Sequence, residues 1–232
     1  MINDILGGVL LRAKFQFSVL IQFEGERNLM NEKTGNILKI IVGLFILGTV
    51  LYGYNFDFSH AYELTFVSNT SCGLLLLIDG IVSLIKKKSV PIFLYQCVLP
   101  CINTVFFSVF FKLFGWHDFN FYGGFFFMHG INPVIFLVLY LFSTNLIIKD
   151  KRDYIRRIFI APIMIMTYLL FDFIRYVVTG KLVYGLIATE NLNYISVPLI
   201  GVVFYLLMAF MSYGLLDLKM FVQKKITSYC NV

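Results

Sequence analysis

Long apolar runs separated by short polar segments dominate the pattern of hydrophobic and polar positions in this chain. A helix needs about 20 predominantly apolar residues to cross a bilayer, and six runs in the sequence approach or reach that length. They cover residues 37–54, 62–85, 91–114, 123–148, 158–178 and 195–221. This pattern predicts an all-α, polytopic membrane bundle of six transmembrane helices.

The predicted membrane domain, residues 37–221, leaves a segment at each end of the chain. Residues 1–36 contain a short apolar stretch at residues 10–23. This stretch fits either a helix lying on the cytoplasmic membrane surface or a helix packed beneath the bundle. Residues 222–232 form a predicted cytoplasmic tail. Because the loops between the runs are short, we expect any activity to reside in the bundle.

Composition supports a membrane protein and excludes several other classes. Hydrophobic residues make up 59% of the chain and charged residues 14%, against roughly 45–50% and about 25% in soluble domains. A soluble fold of this size cannot bury so much apolar surface. The hydrophobicity also excludes a disordered chain, and four Cys in 232 residues exclude a disulfide scaffold.

The positive charges indicate orientation rather than a nucleic-acid partner. The net charge is +6, but a nucleic-acid-binding protein should gather its basic residues on one face. Cytoplasmic loops of membrane proteins are enriched in Lys and Arg. With both termini inside, all but three of the 19 Lys and Arg lie on the cytoplasmic side; the exceptions are Lys112, Arg175 and Lys181. We therefore predict a multi-pass protein of the cytoplasmic membrane.

Several polar side chains fall at similar depth inside the predicted spans. Such groups usually face the bundle interior or a cavity. At about 1.5 Å per residue, Asn69, His129 and Asp172 lie roughly 10 Å below the outer surface. Thr65 and Ser68 share a helix face with Asn69. These positions predict a polar pocket that opens to the outer leaflet.

Pro133 distinguishes the segment around His129. Because proline has no N–H, it offers no hydrogen bond to the carbonyl of His129, four residues earlier. Inside a bilayer this carbonyl must find another internal partner, and Asn132 could supply one. The spacing therefore predicts that the helix loses its regularity, with a kink, at this point.

Two further carboxylates require partners inside the bilayer. Asp172 and Arg175 lie three residues apart on one helix, which allows an ion pair. Asp79 has no evident partner in the sequence, so we expect it to be paired, protonated or in a wet cavity. No His or Cys spacing completes a zinc site, and Gly-rich nucleotide loops are absent from the sequence. We therefore expect neither a metal nor a cofactor.

Two motifs carry a family resemblance, LTFVSN at residues 64–69 and MHGINPVIFLVLYLF at residues 128–142. They resemble the androgen-induced-gene family of multispan membrane proteins, and most closely its bacterial six-helix relatives. That family shows an aromatic-Thr-x-x-Ser-Asn motif in one span and His-x-x-x-Pro two helices later. A third segment, FDFIRYVVTGKLVYG, matches only in part, because Tyr176 follows Arg175 where the family has Gly and the Pro-rich turn is missing.

The resemblance implies a Thr/His hydrolase of fatty-acyl esters, with membrane lipid and a lipid-like substrate as partners. It places the nucleophile on Thr65 and the base on His129. This chemistry is coherent, since an imidazole can take the proton of a weakly nucleophilic hydroxyl. Residues that could bind substrate, stabilise an oxyanion or orient the base are Ser68, Asn69, Asn132, Asp172 and Arg175.

Less specific interpretations remain open for the same residues. His129 can tie two helices together, and Thr65 can bond to its own helix. The alternative function is a non-enzymatic membrane protein, either a small-solute or ion carrier or a lipid-binding or partner subunit. In a carrier, Asp79, Asn103 and Asp172 would mark a route through the bundle.

Overall fold

A computed structural model of the protein describes residues 32–113, 123–181, 183 and 196–230. Within these residues the regular elements are helices and no strand occurs, which confirms the predicted all-α class. The helices are α1 (Glu32–Gly53), α2 (Leu64–Lys86), α3 (Ile92–Leu113), α4 (Gly123–Ser143), α5 (Lys151–Ile160), α6 (Ile163–Thr179) and α7 (Ser196–Cys230). A short 3₁₀ helix, Phe58–His60, lies between α1 and α2. The predicted surface helix at residues 10–23 lies outside the described residues.

Five of the described helical stretches are long and apolar enough to cross a membrane. They are Lys33–Gly53, Leu64–Lys86, Gly123–Ser143, Lys151–Thr179 and Ser196–Ile226. The third predicted span is present as a shorter apolar stretch, Ile92–Ser108, within α3. The described part of the chain is thus consistent with a multi-pass membrane protein, while six spans with both termini inside stay a prediction.

The ends of three elements differ from the sequence prediction. The fourth run was expected to continue to residue 148, but α4 ends at Ser143. The charged segment that follows is the helix α5, because the Asp150 side chain caps it by accepting the Asp153 N–H at 2.7 Å. Helix α7 continues to Cys230, so most of the expected cytoplasmic tail, residues 222–232, is helical. Apolar content alone does not reveal such polar helical turns.

Glycines allow α1 and α2 to pack closely along their length. A Cβ added to Gly43 would lie 2.8 Å from the Gly73 carbonyl oxygen, and one added to Gly80 would lie 2.7 Å from the Asn36 carbonyl oxygen. Small residues at helix interfaces let two backbones approach in this way. The α1–α2 pair is the frame that carries Thr65.

Two apolar clusters bring the remaining helices onto this pair. The larger contains Ile46, Leu76, Tyr95 and Phe136, from α1 to α4, and the rings of Tyr95 and Phe136 stack with centroids 5.6 Å apart. The smaller cluster brings α3 and α6 against the N-terminal part of α2; its buried members are Leu64, Cys101, Val105, Ile165 and Tyr168. Both ends of α2 are therefore fixed by packing.

Two lysines that the charge pattern assigned to the cytoplasmic side are buried. Lys39 is 2% exposed and donates to a carboxylate oxygen of Asp79 at 2.8 Å. Lys219 is 1% exposed and donates to the carbonyls of Leu141 and Thr144, at the end of α4, where a helix leaves its last carbonyls without partners. Each lysine has an internal acceptor that the sequence does not reveal, while its count on the cytoplasmic side stays a prediction.

Candidate active site

Helices α2 and α4 bring Thr65 and His129 together. Thr65 lies in the first turn of α2, and its side chain is almost fully buried. His129 is half-buried and lies in a π-helical turn, Phe127–Ile131, inside α4. The Thr65 Oγ1 and His129 Nε2 atoms are 3.3 Å apart. The two residues predicted to react are thus within hydrogen-bond reach of each other.

The second nitrogen of His129 fixes which atom faces Thr65. His129 Nδ1 lies 3.0 Å from the carbonyl oxygen of Phe125. A carbonyl can only accept, so Nδ1 carries the proton and donates. In a neutral imidazole the other nitrogen is then unprotonated. His129 Nε2 therefore presents its lone pair to the Thr65 hydroxyl, as a general base must.

The π turn explains how α4 accommodates Pro133. The Asn132 N–H donates to the Phe127 carbonyl, five residues earlier, as expected in a π turn. In the same register the Met128 carbonyl would need an N–H from Pro133, which has none. Asn69 Nδ2 donates to this carbonyl instead, at 3.1 Å. The predicted irregularity is present as a π turn. The carbonyl that needs a donor from outside α4 is that of Met128 rather than that of His129, and Asn69 supplies the donor rather than Asn132.

A hydrogen-bonded chain, here called the amide bridge, joins α1, α2 and α4 beside the Thr65–His129 pair. Asn132 Nδ2 donates to Asn69 Oδ1 and to Thr49 Oγ1, both at 2.9 Å. Asn69 Nδ2 also donates to the Thr65 carbonyl at 2.9 Å. Thr49 was not among the predicted site residues, because a single hydroxyl inside the first apolar run was all that distinguished it. The amide bridge holds both reacting residues to one framework.

The amide bridge uses the donors that were candidates for stabilising an oxyanion. A side-chain amide has two hydrogens. Those of Asn69 face the Thr65 and Met128 carbonyls, and those of Asn132 face Thr49 and Asn69. Ser68 is fully buried, and its hydroxyl lies 3.4 Å from the Thr65 carbonyl. This geometry favours a positioning role for these three residues over direct contact with substrate.

Asp172 and Arg175 do not form the ion pair that their spacing allows. Asp172 Oδ1 accepts the Val183 N–H at 2.8 Å. The Arg175 guanidinium lies over the Tyr62 ring, 4.3 Å from its centroid. The Phe125 carbonyl, and not the Asp172 carboxylate, accepts the hydrogen bond from His129 Nδ1. Asp172 instead binds backbone just beyond the end of α6, and Arg175 packs on an aromatic ring.

Aromatic and polar side chains surround the N-terminal end of α2. The Tyr54 hydroxyl donates to Glu63 at 2.9 Å, and Tyr54 meets the Phe66 ring edge to face. Glu63 also lies 2.8 Å from His60 Nδ1.

Across residues 32–113, 123–181, 183 and 196–230, no three His, Cys, Asp or Glu side chains lie close enough to hold a metal ion.

Asp79, which was expected to be paired, protonated or in a wet cavity, belongs to a separate cluster towards the other end of α2. It is fully buried and paired with Lys39. Its oxygens also accept from the Tyr95 hydroxyl at 2.7 Å, the Val90 N–H at 2.9 Å and the Ser83 hydroxyl at 3.2 Å. A buried carboxylate needs such compensation. The cluster fastens α1, α2 and the start of α3 to one another.

No family model, curated protein or solved structure matches the chain. Interpretation of the Thr65–His129 pair therefore depends on its own geometry. That geometry is a hydroxyl facing an unprotonated ring nitrogen, with the second ring nitrogen held by backbone.

Proposed function

We propose that the protein is a membrane-embedded hydrolase of lipid-like fatty-acyl esters, with Thr65 as nucleophile and His129 as base. The observation that carries the proposal is the 3.3 Å separation of Thr65 Oγ1 and His129 Nε2, together with the Nδ1 hydrogen bond to Phe125. Nucleophile, base and orienting group stand in the order that nucleophilic catalysis requires. The resemblance of the motifs at residues 64–69 and 128–142 to the androgen-induced-gene family supports the same roles.

In the first half of the reaction, Thr65 Oγ1 attacks the carbonyl carbon of the ester. His129 Nε2 takes the hydroxyl proton as the new C–O bond forms. The tetrahedral intermediate collapses when the bond to the alcohol oxygen breaks, and His129 returns the proton to that oxygen. The alcohol leaves, and the acyl group stays on Thr65 as an ester.

In the second half, water attacks the acyl-Thr65 ester. His129 Nε2 now takes a proton from the water and returns it to Thr65 Oγ1 as the acyl–oxygen bond breaks. The products are a fatty acid and the original hydroxyl. Throughout, the Phe125 carbonyl accepts from Nδ1 and so favours the cationic ring that forms twice in each cycle.

Backbone N–H groups at the start of α2 are the nearest candidates for binding the oxyanion. Helix α2 begins at Leu64, and the side chain of Glu63 makes no capping hydrogen bond. A helix leaves its first N–H groups without acceptors inside the helix, and such preset donors stabilise a developing oxyanion. They lie in the same turn as Thr65, whereas the side-chain amides of Asn69 and Asn132 are already engaged.

The location of the site suits a substrate that lies in the bilayer. The site is formed by helices that are apolar enough to span a membrane, and exposed aromatic residues occur nearby, such as Phe58 at 60%. With both termini in the cytoplasm, the pair would lie in the outer leaflet of the cytoplasmic membrane. An acyl chain could then reach His129 from the lipid phase.

The direct test is turnover of a chromogenic long-chain ester, and labelling by a fluorophosphonate, with the purified protein in detergent. We expect Thr65→Ala and His129→Ala to abolish both signals, and Thr65→Ser to keep measurable turnover because it retains the hydroxyl. Thr167→Ala is the matched control, because Thr167 is exposed and its hydroxyl bonds to its own helix at Ile163. Wild-type turnover in both Thr65→Ala and His129→Ala would refute the proposal.

The carrier alternative has less support from the same contacts. A carrier needs polar groups that bind and release a solute along a path. Asp79 already accepts from four donors, including Lys39 at 2.8 Å, which favours a structural role. A lipid-binding protein without turnover would give no ester cleavage in the same assay but would still bind the ester, which a binding measurement with the same ester detects.

A further inference from the structure

A narrow cavity, partly open to the surface, lies towards the opposite end of the bundle from Thr65, where α3, α4 and α7 meet the junction of α5 and α6. Apolar side chains form much of its wall, and its polar lining consists of Gln96, Tyr140, Arg157 and Ser212. None of these residues belongs to the proposed ester site.

Gln96 supplies the cavity with a hydrogen-bond donor that lies beside the Tyr140 hydroxyl without forming a hydrogen bond of normal geometry to it. It is 7% exposed, and its Nε2 atom makes no hydrogen bond within the described part of the chain. The amide orientation is fixed, because Gln96 Oε1 accepts from Arg157 Nη1 at 3.2 Å and a guanidinium can only donate. A buried unsatisfied donor is costly. A ligand with an acceptor oxygen would remove this cost.

Arg157 stands beside Gln96 with hydrogens to spare. Its Nε donates to Asp153 at 3.0 Å, and Nη1 and Nη2 donate to Gln96 and to the Ile147 carbonyl. A guanidinium has five N–H hydrogens, so two remain after these three bonds. Asp153 and the Ile147 carbonyl hold the group in place, and a preset arginine is well suited to oxygen anions.

The segment that carries Arg157 is strongly basic. Residues 149–157 contain five cations, Lys149, Lys151, Arg152, Arg156 and Arg157, against the two carboxylates Asp150 and Asp153. The segment leads into the membrane-length stretch Lys151–Thr179, so it lies at the level of lipid headgroups. Basic pockets between helices on the side predicted to face the cytoplasm attract the phosphates of anionic lipids.

We propose that this cavity binds a phosphate group, carried by an anionic membrane lipid or free in solution. Gln96 Nε2 and the two remaining hydrogens of Arg157 donate to its oxygens. The interior is narrow and admits one oxygen at a time, so one phosphate oxygen enters while the rest of the group stays at the mouth, near the exposed cations of α5. The proposal is independent of ester hydrolysis.

The test measures binding to the purified full chain in detergent, by native mass spectrometry and by the shift in its unfolding temperature. The ligands are phosphatidylglycerol, phosphatidylcholine and inorganic phosphate. Gln96→Glu keeps the acceptor for Arg157 and replaces the donor by a carboxylate, while Gln96→Met removes the donor without adding charge. Asn145→Asp is the charge-matched control, because it adds the same charge at an exposed position outside the cavity.

We expect phosphatidylglycerol to bind the wild type more tightly than phosphatidylcholine. Gln96→Glu should weaken that binding by about tenfold or more, as expected for lost hydrogen bonds to a charged group. Gln96→Met should weaken it less, and Asn145→Asp by less than about twofold, as for a screened surface charge. Gln96→Met also serves if Gln96→Glu fails to fold.

Two arms identify the source of the phosphate, and two outcomes overturn the proposal. Binding of phosphatidylglycerol that inorganic phosphate does not displace assigns the site to lipid, whereas binding of inorganic phosphate alone assigns it to a soluble ligand. Absence of binding by both phosphatidylglycerol and inorganic phosphate would contradict the proposal. Wild-type affinity in both Gln96 variants would also contradict it, because the surface cations alone would then account for binding.

Discussion

Asn69 donates a hydrogen bond to the carbonyl of Met128 at 3.1 Å, and this contact joins the helix that carries Thr65 to the turn that carries His129. The same amide nitrogen donates to the Thr65 carbonyl. One side chain thus spans the two backbones whose separation sets the distance between nucleophile and base.

Removing this side chain should therefore affect catalysis more than binding. We expect Asn69→Ala to lower kcat for the ester by about 10- to 100-fold, as for a displaced reacting group, with a smaller change in KM. The free energy of unfolding should fall by about 1–3 kcal/mol, because the Met128 carbonyl loses its donor. Steady-state kinetics and denaturation in detergent measure both. The control is Thr104→Val on α3, whose hydroxyl bonds to the Pro100 carbonyl of its own helix; an equal fall in kcat there would contradict the assignment.

Restoring an N–H at position 133 should remove the need for the π turn. Pro133→Ala gives α4 a backbone donor and lets its hydrogen bonds return to the regular α-helical register. We expect turnover to fall by about tenfold, because His129 rotates relative to Thr65, while the unfolding temperature stays level or rises. Pro100→Ala, in the interior of α3, tests whether any loss of a helix proline has this effect. Unchanged turnover in Pro133→Ala would show that the π turn does not set the site geometry.

A methyl group at Gly124 should separate α4 from α1 at the edge of the site. A Cβ there would lie 2.1 Å from the Gly53 Cα, a backbone contact that cannot give way locally. We expect Gly124→Ala to destabilise the protein by about 1–3 kcal/mol and to reduce turnover, because the neighbouring Phe125 carbonyl holds His129. Gly48→Ala is the matched control on α1, since a Cβ there meets nothing within 4 Å. Equal stability of the two variants would show that the close approach is not needed.

The Lys39–Asp79 pair should show strong coupling. Lys39→Met leaves Asp79 buried without its cation, at a cost of about 3–5 kcal/mol. The double variant Lys39→Met/Asp79→Leu should recover much of this loss, because no buried charge remains. A double-mutant cycle in detergent measures the coupling. Additive effects of the two substitutions would mean that the pair does not act as a unit.

The predicted orientation can be tested with single cysteines in a cysteine-free background. Ser59→Cys lies in the exposed turn between α1 and α2, and Lys151→Cys lies at the exposed start of α5. With both termini inside, a membrane-impermeant maleimide added to intact cells should label Ser59→Cys and not Lys151→Cys. Permeabilised cells are the control, in which both positions react. The reverse labelling pattern would invert the topology and place Thr65 and His129 towards the cytoplasmic leaflet.

The helical class could be predicted from the long apolar runs, and the similar depth of Thr65 and His129 from their positions along the predicted spans. Their pairing as nucleophile and base was implied only by the family resemblance. The partners of buried polar groups could not be predicted, because they depend on which helices become neighbours. Asn69 was expected to join helices or to position other groups, but its acceptor on α4, the Met128 carbonyl, could not be named from the sequence. Lys39 was counted on the cytoplasmic side, and nothing in its local sequence indicates that Asp79 lies opposite.

Backbone details were predictable only in part. Pro133 indicated an irregular turn, but proline alone does not decide whether a helix kinks, widens or breaks. The choice of a π turn depends on Asn69, which satisfies the Met128 carbonyl from another helix. The capping of α5 by Asp150 was local and could have been predicted; the high charge of the segment concealed it.

The two carbonyls that Lys219 binds lie at the end of α4, whereas Lys219 itself lies on α7, 78 residues beyond Leu141. During synthesis from the N-terminus, α4 therefore emerges without the cation that completes its C-terminal end. That donor arrives only with the final helix. The helix that carries His129 thus reaches its finished hydrogen bonding only after the last membrane-length segment has been made, and a chain that stops before α7 contains Thr65 and His129 but leaves the end of α4 without this cation.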